Sequence, residues 1–307
     1  MTLRSGANIV VVAPGGICDE AKLQEGMQLL RSWGYEVTES KHLHSRFRYT
    51  AGTPDARREE LHRALTEPGI DAVWYARGGY GTVHCLPGLP SIPDERLVIG
   101  FSDATALFCE LQRRRHGRGR ILHGPVLQSV PRHIGEDSRE RMRTMLRTGE
   151  APPLLGHSLV PGRGPVSGPV VGGNLCVLAS LIGTPWQLDA RGAILLLEDV
   201  GEAPYKLDRM VTQLREAGCL DGLAGIVLGE FPRCEPPEGA GWTLDEMFHD
   251  LLAPLNVPVL AGLPVGHAAN NHAFWYGAQG TLRADRLVFQ VQYADGSSDQ
   301  VSLDAPP

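Results

Sequence analysis

The sequence predicts an α/β fold whose N-terminal part is a mostly parallel sheet flanked by helices. Three observations carry that prediction. Residues 9–14, 72–76 and 97–101 are short continuous apolar runs, the signature of strands buried on both faces. Between them lie segments with apolar residues at helical spacing, and strands that alternate with helices imply parallel pairing. Glycine (37 residues) and proline (23) make up about a fifth of the 307 residues, against roughly 12% in an average chain. They gather at the ends of the apolar runs, as turns do. No G-x-y period runs through the chain, which excludes collagen, and the apolar runs exclude disorder.

Taken in order, Asp19 opens a helix through residue 33, with Leu23, Met27, Leu30 and Trp33 on one face and Gly34 as its stop. A short strand follows at 35–38. Thr53-Pro54 supplies the N-cap and first residue of the next helix. The strand at 72–76 ends in Arg77-Gly78-Gly79-Tyr80-Gly81, and the strand at 97–101 ends in Ser102-Asp103. A helix over 104–115, a strand at Ile121-Leu122 leading to His123-Gly124-Pro125, and a charged amphipathic helix over 136–147 complete this part.

Residues 149–172 break the pattern. They are rich in glycine and proline without helical periodicity, which marks a domain crossing. The expected division is an N-terminal α/β domain over 1–150, a crossing over 151–170 and a C-terminal domain over 171–307. In the last, a helix near 175–181, a strand at 194–197, a helix from Pro204 and a strand at 226–228 follow one another. Thr243-x-x-Glu246 is a capping-box pattern that opens another helix. A strand at 257–261 leads into Gly262-Leu263-Pro264-Val265-Gly266-His267, and residues 281–291 read as a hairpin turning near Ala284-Asp285.

Composition bounds the function. Apolar residues are 42% and charged residues 21%, with a formal net charge of −6, which argues against nucleic-acid binding by bulk electrostatics. The six cysteines show no C-x-x-C and no metal-ligand spacing, so reduced thiols in a cytoplasmic protein are expected. No apolar run has the length of a secretory signal core or a membrane span. A soluble protein with no membrane partner is the expectation.

Several loops beyond strands carry polar residues beside glycine, and ligands bind at the carboxyl ends of strands in parallel sheets. Ser102 stands at a strand–turn–helix junction that resembles a nucleophile elbow. On this motif alone the plainer role for Ser102 or Asp103 is a helix cap. Glu198 is delivered by the apolar run 194–197, where a carboxylate could orient a histidine. The competing role is complementing the helix dipole near Pro204, and Glu202 fits that role better. His267 follows a rigid glycine-flanked turn, with His272 as a competitor. Together Ser102, Glu198 and His267 supply nucleophile, orienter and base. The Arg77-to-Gly81 loop presents bare backbone N–H groups that could cradle an oxyanion. It has no P-loop or dinucleotide spacing, and the chain shows no nucleotide signature.

These pieces, with Val12-Ala13-Pro14, His123-Gly124-Pro125, Gly172-Gly173-Asn174-Leu175, Gly183-Thr184-Pro185, Leu197-Glu198-Asp199 and Asp208-Arg209-Met210, resemble the LD-carboxypeptidase family of serine peptidases, which also holds the microcin C immunity hydrolases. The resemblance runs over nearly the whole chain. It implies a C-terminal α/β domain built around a second sheet, a Ser102-Glu198-His267 triad, and an oxyanion hole from the N–H groups of Gly79 and Asp103. It also implies no metal or organic cofactor, and a homodimer. Gly15-Gly16 departs from the serine that many members carry there. The implied reaction is removal of the terminal D-alanine from murein tetrapeptides in peptidoglycan recycling. Hydrolysis of peptidyl or aminoacyl nucleotides is the alternative, with Trp186 and Trp275 as candidate stacking residues. A non-catalytic two-domain binding protein is the third reading, and it requires the three residues to lie beyond hydrogen-bonding reach of one another. Arg77 and Trp186 are the candidate substrate contacts.

Overall fold

The fold is drawn from a computed structural model that describes residues 2–115, 120–292 and 298–299. The first sheet is built from β1 (Asn8–Val12), β2 (Glu36–Glu39), β3 (Ala72–Tyr75), β4 (Leu97–Gly100) and β5 (Arg120–His123). All five are parallel, in the order β5-β4-β3-β1-β2. β3 and β4 are buried along their whole length, whereas the edge strand β2 buries only Val37. That is the pattern of a parallel sheet covered on both faces.

The helices of this half start where the sequence marks them. α1 (Glu20–Ser32) is capped by the Asp19 carboxylate, which accepts from Lys22 N, and it buries Leu23, Met27 and Leu30. α2 (Pro54–Thr66) is capped by the Thr53 hydroxyl. α3 (Thr105–Arg115) and α4 (Glu136–Thr148) follow β4 and β5.

The second sheet departs from expectation at its start. Residues 149–172 contain β6 (Leu154–Leu155), β7 (His157–Val160) and most of β8 (Val166–Asn174). Glycine and proline hide these strands, and their pairing with β14, β11 and β13 reaches far along the chain. β8 runs parallel to β9 (Ile194–Glu198), which pairs in parallel with β10 (Gly225–Leu228), and β10 with β11 (Val259–Ala261). α5 (Leu175–Ser180), α6 (Pro204–Glu216) and α7 (Leu244–Leu252) connect them. The Thr243–Glu246 capping box is formed, each side chain bonding the other's backbone N–H.

One strand went unseen in the sequence. β12 (Phe274–Tyr276) leaves the C-terminal half and pairs antiparallel with β5, adding a sixth strand to the first sheet. The hairpin of β13 (Gln279–Leu282) and β14 (Arg286–Phe289) then returns to β8. β6 pairs with β14 at one end of the second sheet, and β7 with β11 at the other. The segment 154–160 therefore ties the two ends of that sheet together. Among the described residues no helix is long and apolar enough to cross a membrane, and all six cysteines are free.

Arg141 of α4 locks the two halves. It is 7% exposed. Its Nε donates to Ala273 O at 2.8 Å, just before β12, and an Nη donates to Pro152 O at 2.6 Å. Replacing it with alanine removes two charge-assisted bonds and leaves two carbonyls without their donor. Urea denaturation of Arg141→Ala should show a loss of about 2–4 kcal/mol, and a loss under ~1 kcal/mol would mean the lock is not structural.

Candidate active site

Ser102 sits one residue past the extended Phe101 that follows β4, at φ +61. A left-handed non-glycine residue costs about 1–3 kcal/mol and persists only when its surroundings hold it. Here a 3-10 turn over Ser102–Ala104 continues directly into α3. The neighbouring Asp103 carboxylate, 3% exposed, accepts from Thr82 N at 2.9 Å, Thr82 Oγ1 at 2.7 Å and Gly81 N at 3.3 Å. Burial pushes the Asp103 pKa up against these bonds. Neither side chain caps the helix; no side-chain cap bond is made at this turn.

Glu198 is the last residue of β9 and is fully buried. His267 follows β11. Its Nδ1 lies 2.7 Å from Glu198 Oε2 and its Nε2 lies 3.1 Å from Ser102 Oγ. With Nδ1–H donating to the carboxylate, the Nε2 lone pair faces the serine hydroxyl. A side chain at Gly266 would place Cβ 2.8 Å from Glu198 Oε2, so only glycine lets this turn come so close. The turn is held by Asn271, buried, whose Oδ1 accepts from Gly266 N at 3.2 Å.

The far side of Glu198 is also built. Asn174, at the end of β8, points Nδ2 to Glu198 Oε1 at 3.4 Å and donates to Asp199 Oδ1 at 3.1 Å. Its Oδ1 caps α5 through Val177 N. Asp199 accepts from Cys176 N and Val200 N, each at 2.8 Å. Burial drags the His267 pKa down. The hydrogen bond and charge of Glu198, with Asp199 behind, outweigh it and hold the imidazole above its ordinary value. Glu202 lies before α6 without capping it and pairs instead with Lys206 at 3.1 Å.

The glycine loop closes the third side. Gly78 O accepts from Gly16 N at 2.9 Å. A Cβ on Gly78 would stand 3.0 Å from Ser102 Oγ, so the bare backbone of this loop lies against the hydroxyl. The N–H groups of Gly79 and Asp103 are not taken by any described residue. Arg57, 2% exposed, sets the loop: it donates to Gly81 O at 2.9 Å, to Gly52 O at 3.2 Å and to Pro14 O.

The remaining candidates fall outside this cluster. Arg77 donates to Ile17 O. Trp186 is half-buried against the core. Trp275 is buried and donates Nε1 to Gly149 O at 2.8 Å. His272 is half-buried and its backbone bonds Pro264 O. Arg57, Asn174 and Asn271 were missed as site builders. Asn174 had a signal in Gly172-Gly173-Asn174 at a strand end, but a mid-helix arginine such as Arg57 has none. His123 is a further buried group beside the site. Burial, then the charge of His267, drives its pKa down to about 3. Its ring stacks on Phe274 at 4.7 Å.

Comparison with known proteins matches both halves of the chain to one family. Residues 9–124 match the LD-carboxypeptidase N-terminal domain and residues 167–282 the LD-carboxypeptidase C-terminal domain. The protein slr1534 of Synechocystis sp., named for a carboxypeptidase, is 41% identical over 290 residues, covering 93% of this chain and 94% of its own. The murein tetrapeptide carboxypeptidase of Pseudomonas aeruginosa is 36% identical, covering 91% and 94%. The crystal structure of muramoyltetrapeptide carboxypeptidase from Oxalobacter formigenes superposes with a TM-score of 0.78 at 30% identity, covering 91% and 97%.

NMR titration should place the His267 pKa above the ~6.5 of a free imidazole, and Glu198→Gln should lower it, because burial is then opposed only by the charge of Asp199. The folded value is the raised one. The pair's contribution to stability is therefore full below ~6.5 and fades as pH rises through the folded value. A His267 pKa unmoved by Glu198→Gln would contradict this account. His123 should remain neutral from pH 5 to 8.

Proposed function

The chain belongs to the LD-carboxypeptidase family and is a serine carboxypeptidase acting on a peptide, and we propose that it removes the terminal D-alanine of murein tetrapeptides through an acyl-enzyme on Ser102, in peptidoglycan recycling. The observation that carries this reading is the continuous relay from Ser102 Oγ to His267 to the buried Glu198. The third reading in the sequence needed these residues apart, and they are hydrogen-bonded. The name of the 36% identical relative supports the tetrapeptide as substrate.

In this reading His267 Nε2 takes the Ser102 proton as Oγ attacks the scissile carbonyl carbon. Glu198 holds Nδ1–H, fixes the tautomer and stabilises the imidazolium. The N–H groups of Gly79 and Asp103 receive the developing oxyanion; losing one such donor typically costs about 10²–10³ in rate. Collapse of the tetrahedral intermediate breaks the C–N bond, and His267 returns the proton to the departing amine. Water, deprotonated by the same imidazole, then attacks the ester and frees Ser102. Rate should fall as pH drops through the raised His267 pKa, since only the neutral ring accepts a proton.

The test pairs substrate and probe. Ser102→Ala should lower D-alanine release from the tetrapeptide by about 10⁴-fold or more with an unchanged circular dichroism spectrum. A fluorophosphonate should label Ser102 in the wild type and lose that label in His267→Ala. Undiminished release by Ser102→Ala overturns the reading. Preferential turnover of an aminoacyl nucleotide offered in parallel replaces the substrate but keeps the nucleophile.

A further inference from the structure

A carboxypeptidase must recognise a free carboxylate beside the scissile amide. Ser102, His267 and Glu198 do not do this, and Glu198 would repel it. A cation or a cluster of N–H groups can do so, and an unpartnered guanidinium matches a carboxylate bidentately.

Most cations around the site are engaged. Arg57 is buried among backbone carbonyls. Arg77 is bonded to Ile17 O, Lys206 to Glu202, and Arg209 lies over the Tyr205 ring at 5.3 Å. Arg233 differs. It is exposed, and no hydrogen bond or ion pair engages its side chain among the described residues.

Its loop is fastened to the site on two sides. β10 lies between β9, which ends in Glu198, and β11, which leads to His267. Just past β10, Gly229 N bonds Leu197 O at 2.8 Å and Glu230 N bonds Val265 O at 2.9 Å. Further on, Pro232 O accepts from Gly201 N at 3.0 Å and Cys234 Sγ from Glu202 N at 3.3 Å. Between these two anchors Arg233 is held at φ +60, a left-handed conformation of the kind that collects at ligand clamps. The Arg233 charge opposes protonation of His267.

We propose that Arg233 binds the free C-terminal carboxylate of the substrate and so makes this site a carboxypeptidase rather than an endopeptidase. The inference rests on Ser102 being the nucleophile. Arg233 contributes no proton and no bond; it selects the chain end and sets its distance from Ser102.

The test compares the murein tetrapeptide with its C-terminal carboxamide in wild type, Arg233→Gln and Arg233→Lys. Wild type should prefer the free acid. Arg233→Gln should lower kcat/KM on the free acid about 30- to 1,000-fold, chiefly through KM, and leave the carboxamide unchanged, so the preference collapses. Arg233→Lys should restore part of it. Fluorophosphonate labelling of Ser102 should persist in both variants. If the preference survives Arg233→Gln while Ser102 is still labelled, the proposal is overturned and the nucleophile stands. If wild type is not labelled at Ser102, the underlying reading fails instead. If wild type is labelled but cleaves neither peptide, the assigned substrate and this proposal fall together.

Discussion

The constraint on which the site depends is the burial of the Glu198 carboxylate. It is fully removed from water at the end of a central strand. An isolated ionised carboxylate there is prohibitively costly, and removing one partner of a buried pair typically costs about 3–5 kcal/mol. Neighbouring strand ends answer that cost. β8 supplies Asn174, and the turn after β11 supplies His267. Gly266 is open because a side chain would occupy the space of the carboxylate. Asp199, which shares the Asn174 amide with Glu198, is satisfied further by backbone N–H groups of α5 and its own loop. The electrostatics that hold His267 above its ordinary pKa are thus consequences of where one carboxylate was buried.

The serine comes from the other sheet, so a second requirement is that the two sheets be held in fixed relation. Three contacts do this. Asn174 N donates to Thr105 Oγ1 at 3.2 Å, joining β8 to the helix behind Ser102. Arg141 joins α4 to the chain just before β6 and just before β12. β12 leaves shortly after His267 and enters the first sheet beside β5. The histidine is therefore carried on a short span between strands of the two sheets, which leaves it little freedom relative to Ser102.

Much of this was legible in the sequence where the cause is local. Asp19, Thr53 and the Thr243–Glu246 box announce helix starts because the interaction closes within three residues. The buried parallel strands announce themselves by unbroken apolar runs. Ser102, Glu198 and His267 were found because each stands just past such a run. What failed is non-local. β12 is three aromatic residues whose partner lies some 150 positions earlier. The strands within 149–172 are interrupted by glycine and proline, and two of them are held by distant partners at the two ends of a sheet. Arg57 acts through the carbonyls of Pro14 and Gly81, which only the fold brings close, and no spacing along the chain foretells it.

The order in which these parts leave the ribosome has a consequence. Ser102 and His267 are 165 positions apart, and β12 lies beyond both. A nascent or truncated chain can carry the serine, the glycine loop and five strands of the first sheet, yet hold no base and no orienting carboxylate. Its hydroxyl is an ordinary alcohol. On the proposed reading, a chain that stops short of His267 has no base to activate Ser102, so completing the chain is itself the step that arms the protein.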